Sequence, residues 1–230
     1  MRLPRISIVG VGSFLLSLIL PLVVFAGGTI RGKVTFVGEI PSPKKFVFAS
    51  FPNAKFCAMH PSTNDEGRHR VVNPIEVGEG GALKSSIVSI RDIQDEAWSQ
   101  SFSQTNIDIE ICDFIPNTGI LVDAKNIRIK NHDFDPDDPK AATGIHHTVR
   151  AYEVLTPKSL VLLGIGLPTN GSELNTQVKL KMKKRGSIVR LTCDQHEWKR
   201  SSLLPVQNPY FKVVNEKGEF EISKVFFWKS

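Results

Sequence analysis

Cysteine is scarce in this chain, and the scarcity excludes more than it leaves open. Only Cys57, Cys112 and Cys193 occur in 230 residues. No two of them stand as Cys-x-x-Cys, so a dithiol oxidoreductase and a c-type haem attachment sequence are both excluded. Methionine is as rare, at Met1, Met59 and Met182, which leaves few thioether donors. No window longer than a few residues carries a helical apolar face, and no internal repeat or low-complexity tract occurs. No glycine-rich or oxyanion-type segment accompanies a nucleophile, so no catalytic residues are assigned and an enzyme is not expected.

Past Phe25 there is also no apolar run long enough to span a membrane. Before it, residues 1–26 read as an export signal: Arg2 and Arg5, an apolar stretch from Ile6 to Phe25, and the exit Val24-Phe25-Ala26. The stretch is close to spanning length, so an uncleaved anchor is the competing reading; Pro21 and the small-residue exit favour cleavage. The mature chain is therefore expected to be periplasmic or otherwise exported, or membrane-anchored if the segment is retained. Losing Arg2 and Arg5 leaves a mild excess of the formal +6 charge. Such an excess suits an acidic protein partner, and export argues against nucleic acid. An odd cysteine count outside the cytoplasm points to one bridged pair and one thiol kept for another purpose.

What is abundant is period-two alternation, so the chain reads as all-β. Ile30, Gly32, Val34 and Phe36 alternate with polar residues; so do Ile107, Ile109 and Ile111, and then Ile127 and Ile129. A hairpin is expected from Val178–Met182 to Ile188–Leu191 through Lys183-Lys184-Arg185-Gly186, and a last one from Tyr210–Val214 to Phe220–Ile222. Residues 53–81 and 131–144 read as loops. The basic residues Lys179, Lys181, Lys183, Lys184 and Arg185 read as a solvated strand face and turn, with a docking patch for an acidic redox partner as the functional alternative.

Val189, Leu191 and Cys193 alternate with Arg190 and Thr192, so the thiol points inward with the apolar side chains, and His196 follows three residues later. One thiolate and two imidazoles in a trigonal array with a weak axial ligand make a copper electron-transfer site. The second imidazole would come from the region Asn131-His132-Asp133 to Ile145-His146-His147, which spacing alone does not resolve. Cys57-Ala58-Met59-His60 is a rival Cys-x-x-His; it reads as half a disulfide beside a surface histidine. His132 and His146 read as polar loop residues, and His69 carries no signal. Asp133, Asp135, Asp137 and Asp138 lack the spacing and glycine of a calcium loop, with Pro136 and Pro139 intervening, and read as a solvated acidic loop.

As a set, these segments resemble the plastocyanin-like cupredoxins, exported proteins also known under methylamine-utilisation and carboxypeptidase-regulatory-like names. The matching segments are Cys112-Asp113-Phe114-Ile115-Pro116, Asn131-His132-Asp133, His147 through Ala151-Tyr152, Leu167-Pro168, Cys193-Asp194-Gln195-His196-Glu197-Trp198 and Asn208-Pro209-Tyr210-Phe211. Gly28–Val34 and Gly80–Leu83 look like the family too. The resemblance implies a Greek-key β-sandwich of cupredoxin type. It implies one mononuclear copper held by His147, Cys193 and His196, with Asp194 and Trp198 shaping the loop; His146 is the fallback ligand if the register is off by one. It also implies a Cys57–Cys112 disulfide and single-electron transfer to a redox partner.

The chain departs from the family in three places. Lys199 stands where the family has an axial methionine, and Asn117 where it has histidine. The closing strand is expected to be missing after Phe226-Phe227-Trp228, which leaves an open aromatic edge. An ammonium ~4 Å from copper would repel it by roughly 4 kcal/mol at an effective dielectric of about 20. Lys199 can direct its head to water over its four-carbon stem, and the axial position stays open between Lys199, the Gln195 amide, a backbone carbonyl and a three-coordinate site. The expected organisation is a signal over 1–26, N-terminal strands and loops of the sandwich over 27–105, a cupredoxin-like core over 106–207 and a shortened C-terminal hairpin over 208–230. The alternatives are a metal-free binding or scaffold module of the same fold, or a copper capture and delivery protein.

Overall fold

The computed structural model describes residues 27–64, 66–182 and 184–225; the export segment and the aromatic end 226–230 lie outside the described residues. In chain order the strands are β1 (Gly28–Lys33), β2 (Lys44–Val47), β3 (His69–Val72), β4 (Ile87–Ser89), β5 (Gln104–Glu110), β6 (Asp113–Ile115), β7 (Thr118–Leu121) and β8 (Lys125–Asn131). They continue with β9 (His147–Leu155), β10 (Lys158–Leu167), β11 (Glu173–Val178), β12 (Ile188–Cys193), β13 (Arg200–Pro205), β14 (Phe211–Val213) and β15 (Glu219–Val225). The described residues also form two short α-helices, α1 (Ala54–Cys57) and α2 (Glu96–Ser101), and two 3-10 turns, Phe48–Ser50 and Glu79–Gly81.

The chain forms the all-β sandwich expected from the alternation. A five-stranded sheet, β10-β9-β12-β13-β7, faces a four-stranded sheet, β11-β8-β5-β6. Their inner faces supply one continuous core, with Ile107, Ile109, Ile127 and Ile129 from one sheet and Val149, Ala151, Val189, Leu191 and Leu203 from the other. All nine are completely buried. The period of two puts each set on one face, and removing that face from water drives the two sheets together.

Both expected hairpins are corrected. β11 pairs with β8, and β12 lies between β9 and β13, so Val178 and Ile188 belong to opposite sheets. The strand ends at Val178 because the next amides find carboxylates instead of a neighbouring strand. Leu180 N donates to Asp123 at 2.8 Å, and Lys181 N and Met182 N donate to buried Glu153 at 2.6 and 2.8 Å. In place of a C-terminal hairpin, β14 pairs with β4, and β15 pairs with β1.

The N-terminal strands also join neither large sheet; they form two-stranded ribbons of their own or with β14 and β15. β1 and β2 are almost wholly exposed along their length, so they have no apolar face to add to the sandwich. Residues 53–81, expected as loop, contain α1 and β3. β2, β3 and α1 make a cover over one end of the sandwich. Its contents are aromatic: Phe46, Phe48 and Phe51 pack with Cys57, Cys112 and Trp198. Among the described residues no helix is long and apolar enough to cross a membrane.

Candidate metal centre

The antiparallel register of β12 and β9 brings the donors together. Cys193 ends β12 directly opposite Val149, and His147 opens β9 two residues earlier. Both side chains continue the inward parity of their strands: His147 with Val149 and Ala151, Cys193 with Val189 and Leu191. The loop before β9 is held by Asn131, whose amide donates to the carbonyls of Ile145 (2.7 Å) and Leu167 (3.0 Å). Gly144, at φ +146°, has no room for a β-carbon, which would lie 2.2 Å from Asn170 N; the loop therefore closes tightly against residues 169 and 170.

Cys193 Sγ lies 3.7 Å from His147 Nδ1 and 3.7 Å from His196 Nδ1. The three residues offer ligand atoms all within 4.8 Å of one another, and all three are buried. Bonds of about 2.0 Å to nitrogen and about 2.3 Å to sulfur, opened to about 120°, would hold nitrogen and sulfur about 3.7 Å apart. The observed spacing is that of donors around one trigonal ion. His146, by contrast, is exposed and turned to Thr148 Oγ1 at 3.2 Å.

A carboxylate selects the histidine tautomer. His147 Nε2 lies 2.9 Å from Asp133 Oδ2, and the same carboxylate accepts amide hydrogens from Ile111 at 2.6 Å and Cys112 at 2.8 Å. Asp133, 2% exposed, is no part of a solvated acidic loop, which corrects that expectation. Its neighbours hold it ionised: burial pushes the carboxyl upward, but the bond to His147, the Cys112 amide and the Lys199 charge outweigh that and leave it below the usual range. The network assigns the proton to Nε2, leaving the Nδ1 lone pair to face Cys193 and His196. Inward parity from Ile127, Ile129 and Asn131 was the sequence signal that could have found Asp133.

Burial first, and then the nearby positive groups, bring His147 down to about 4 and His196 to about 3, although Asp133 partly opposes this at both. Both imidazoles are neutral, as metal ligands must be, at any pH above the ordinary histidine range.

Lys199 does not take the route to water that its stem allows. Its head does not reach water: the residue is 0% exposed. Nζ donates to His147 Nδ1 at 3.3 Å and sits 4.4 Å from the centre of the Phe114 ring. The turn His196–Lys199, closed by Lys199 N donating to the His196 carbonyl at 3.0 Å, tucks the side chain under the sandwich rim. Burial lowers its ammonium to about 8, against the pull of Cys193, Asp133 and Asp113. Gln195 is already engaged: Oε1 accepts from Thr148 N at 2.6 Å, Nε2 donates to Thr148 Oγ1 at 2.9 Å, and Oε1 is also 3.4 Å from Cys193 Sγ.

The cover seals the other side. Trp198 Nε1 donates to the Cys112 carbonyl at 3.0 Å, and its ring meets Phe48, Phe51 and His196 with centroids 5.4, 4.9 and 5.2 Å away. Cys57 and Cys112 form a disulfide that fastens α1 to the turn before β6, and Cys193 is free. His196 is 0% exposed; its Nδ1 faces Cys193, and the ring donates to the Pro52 carbonyl. His60, expected at the surface, is instead partly enclosed between Arg70 and Asp113. Asp194 stays outside, paired with Arg150 at 2.8 Å. His132 bonds Asp108 at 2.9 Å, and His69 lies on β3; neither is grouped with the three donors. The basic turn at Lys184 and Arg185 precedes the start of β12, whereas Cys193 ends it. At about 3.4 Å per residue the two ends of β12 lie roughly 17 Å apart.

No protein family and no curated protein matches the sequence. Among solved structures, the reduced copper(I) form of an amicyanin variant is similar at 12% identity and a TM-score of 0.32, over 54% of this chain and 94% of that one. A copper-containing nitrite reductase from Thermus scotoductus SA-01 reaches 14% identity and 0.33, over 54% of this chain and 26% of the reductase. A purple cupredoxin from Nitrosopumilus maritimus reaches 11% identity and 0.32, over 44% and 99%.

Proposed function

We propose that the protein is an exported carrier of single electrons that binds one copper ion through His147 Nδ1, Cys193 Sγ and His196 Nδ1. The observation that carries this reading is the pair of 3.7 Å nitrogen-to-sulfur separations in a buried, preset triangle. A copper ion bound there would supply reversible one-electron chemistry. The chain's own residues do the rest. Asp133 fixes the His147 tautomer, the sandwich holds two donors on adjacent strands, and the aromatic cover keeps water out. Of the two further donors considered, Lys199 would be the freer, because the Gln195 amide is spent on Thr148 while Nζ meets His147 and the Phe114 ring among the described residues. As an amine it would be a harder donor than a thioether and would favour the oxidised ion, for a lower potential than methionine would give.

The same lysine supports a second reading, a metal-free module in which the ammonium takes the place of the ion and bonds to His147 Nδ1 itself. One titration separates the two. Copper(II) added to the folded protein should give an intense visible thiolate-to-copper band at one equivalent, absent in Cys193→Ser. A colourless wild type beside a coloured Lys199→Met variant supports the metal-free reading; no colour in either rejects the copper centre. For the carrier, copper uptake releases the Cys193 thiol proton in both proteins but the Lys199 proton in the wild type alone, so below about pH 8 wild-type affinity should rise about tenfold more per pH unit than that of Lys199→Met.

A further inference from the structure

His196 is shut away from water, yet it touches a part of the cover that meets water. Its ring donates to the carbonyl of Pro52, an exposed residue just before α1. His147 and Cys193 instead sit at the ends of β9 and β12, among the inward residues of the sandwich. From the candidate ligand His196, one hydrogen bond therefore reaches backbone at the surface.

The outer face of the cover around Pro52 is basic and partly apolar. Phe46 turns inward onto Trp198, with ring centroids 6.2 Å apart, so the parity of β2 directs Lys45 and Val47 outward. Lys55 is exposed on α1, three residues after Pro52 and so within about 11 Å of it along the chain. Val47 is 46% exposed and Met59 60%. Residues 44–69 carry Lys44, Lys45, Lys55 and Arg68 against Asp65 and Glu66, and Glu66 is already paired with Arg68. Exposed apolar side chains among uncompensated lysines complement a carboxylate-bearing surface, and such charges steer encounter more than they hold the complex. The basic turn at Lys184 and Arg185 is worse placed: it precedes β12, at the opposite end from Cys193, and Arg185 is paired with Asp92.

We infer that this face of the cover is the docking surface for an acidic redox protein, and that electrons cross between that partner and the His196 ring by way of the Pro52 carbonyl. The inference rests on the copper reading above. One electron passes and no covalent bond forms or breaks; the partner is oxidised by one unit as the centre is reduced, or the reverse.

Two measurements test it. On the copper-free full chain, hexacyanochromate(III), a redox-inert paramagnetic trianion, stands in for the acidic face. Amide resonances of Lys45, Val47, Asn53 and Lys55 should broaden, and Lys45→Glu with Lys55→Glu should remove the broadening. On the reduced, copper-loaded protein at low salt, the same double variant should slow oxidation by hexacyanoferrate(III) about tenfold and speed oxidation by the cation tris(phenanthroline)cobalt(III), both effects shrinking at high salt. Lys184→Glu with Arg185→Glu should leave both rates within about twofold. No broadening at the cover, or rates set by the turn in place of the cover, overturns the inference while leaving a coloured centre intact. A protein that takes up no copper overturns the copper reading and the electron route with it, a result visible before any rate is measured.

Discussion

The sandwich and its cover are built on opposite principles, although both enclose the same histidine. The sandwich core is aliphatic and knitted by long ladders, nine residues in β9 and ten in β10, and the inward positions of β9 and β12 are filled by period two. The cover has two four-residue strands and a four-residue helix, and it is held by aromatic edges, the Arg70–Asp113 ion pair and one disulfide. Position in the first region comes from hydrogen-bonded register; in the second it comes from a staple. The ladder presets donor geometry, and the stapled cover decides whether water reaches it.

Breaking the staple should have the largest effect. The bridge spans 55 residues, for which the chain-entropy account gives about 4 kcal/mol of stabilisation. Cys57→Ala with Cys112→Ala should therefore expose Trp198 at a lower urea concentration than the one that melts the strands. Tryptophan fluorescence and far-ultraviolet circular dichroism should give separate transitions; coincident ones would show that cover and sandwich are a single cooperative unit.

Next comes the support of the ladder's own ligand. Asp133→Asn keeps the size of the side chain but can donate to His147 Nε2 and drive the proton to Nδ1. Copper affinity should fall about 10- to 100-fold, and chelator competition checks it. An unchanged affinity would mean that the carboxylate only supports the Ile111–Cys112 turn.

Acid sharpens the comparison in the copper-free protein. Both folded imidazoles lie below the ordinary value of 6.5, at about 4 for His147 and about 3 for His196. The unfolded chain therefore binds more protons between 6.5 and those values. Their contribution to stability is full above pH 6.5 and is lost as pH falls through about 4 and then about 3. Urea midpoints from pH 7 to 3 should fall accordingly, and His196→Gln should flatten the lower part of the curve.

The smallest effect is expected at the basic turn. Lys184→Glu with Arg185→Glu, at the far end of β12, should change stability by no more than about 0.5 kcal/mol and leave the copper spectrum unchanged. A shifted spectrum would mean that the turn communicates with the centre along the strand.

Much of this was legible because strands obey parity. Cys193 inward followed from Val189 and Leu191, whereas His147 over His146 followed from the family resemblance; the structure shows His147 sharing the parity of Val149 and Ala151, and Asp133 continuing that of Ile127 and Ile129. The hairpins failed because parity says which face a residue occupies and nothing about which sheet receives the strand. Lys179–Met182 alternates like a strand, yet its amides turn to Asp123 and Glu153. Where the Lys199 head goes stayed open for a related reason: a lysine beside a turn usually reaches water, and the packing of that turn against Phe114 and Asp133 closes off the route.

The sequence by itself determined the all-β class, the inward thiol and the histidine three residues after it, because these depend on local periodicity and spacing. Tertiary structure alone decided that β12 and β9 are neighbours in the register that brings His147 to Cys193, that the ammonium of Lys199 is shut inside, and that one imidazole stands between a thiol and a disulfide. Those outcomes depend on contacts between residues 46 to 139 positions apart, which no local pattern encodes.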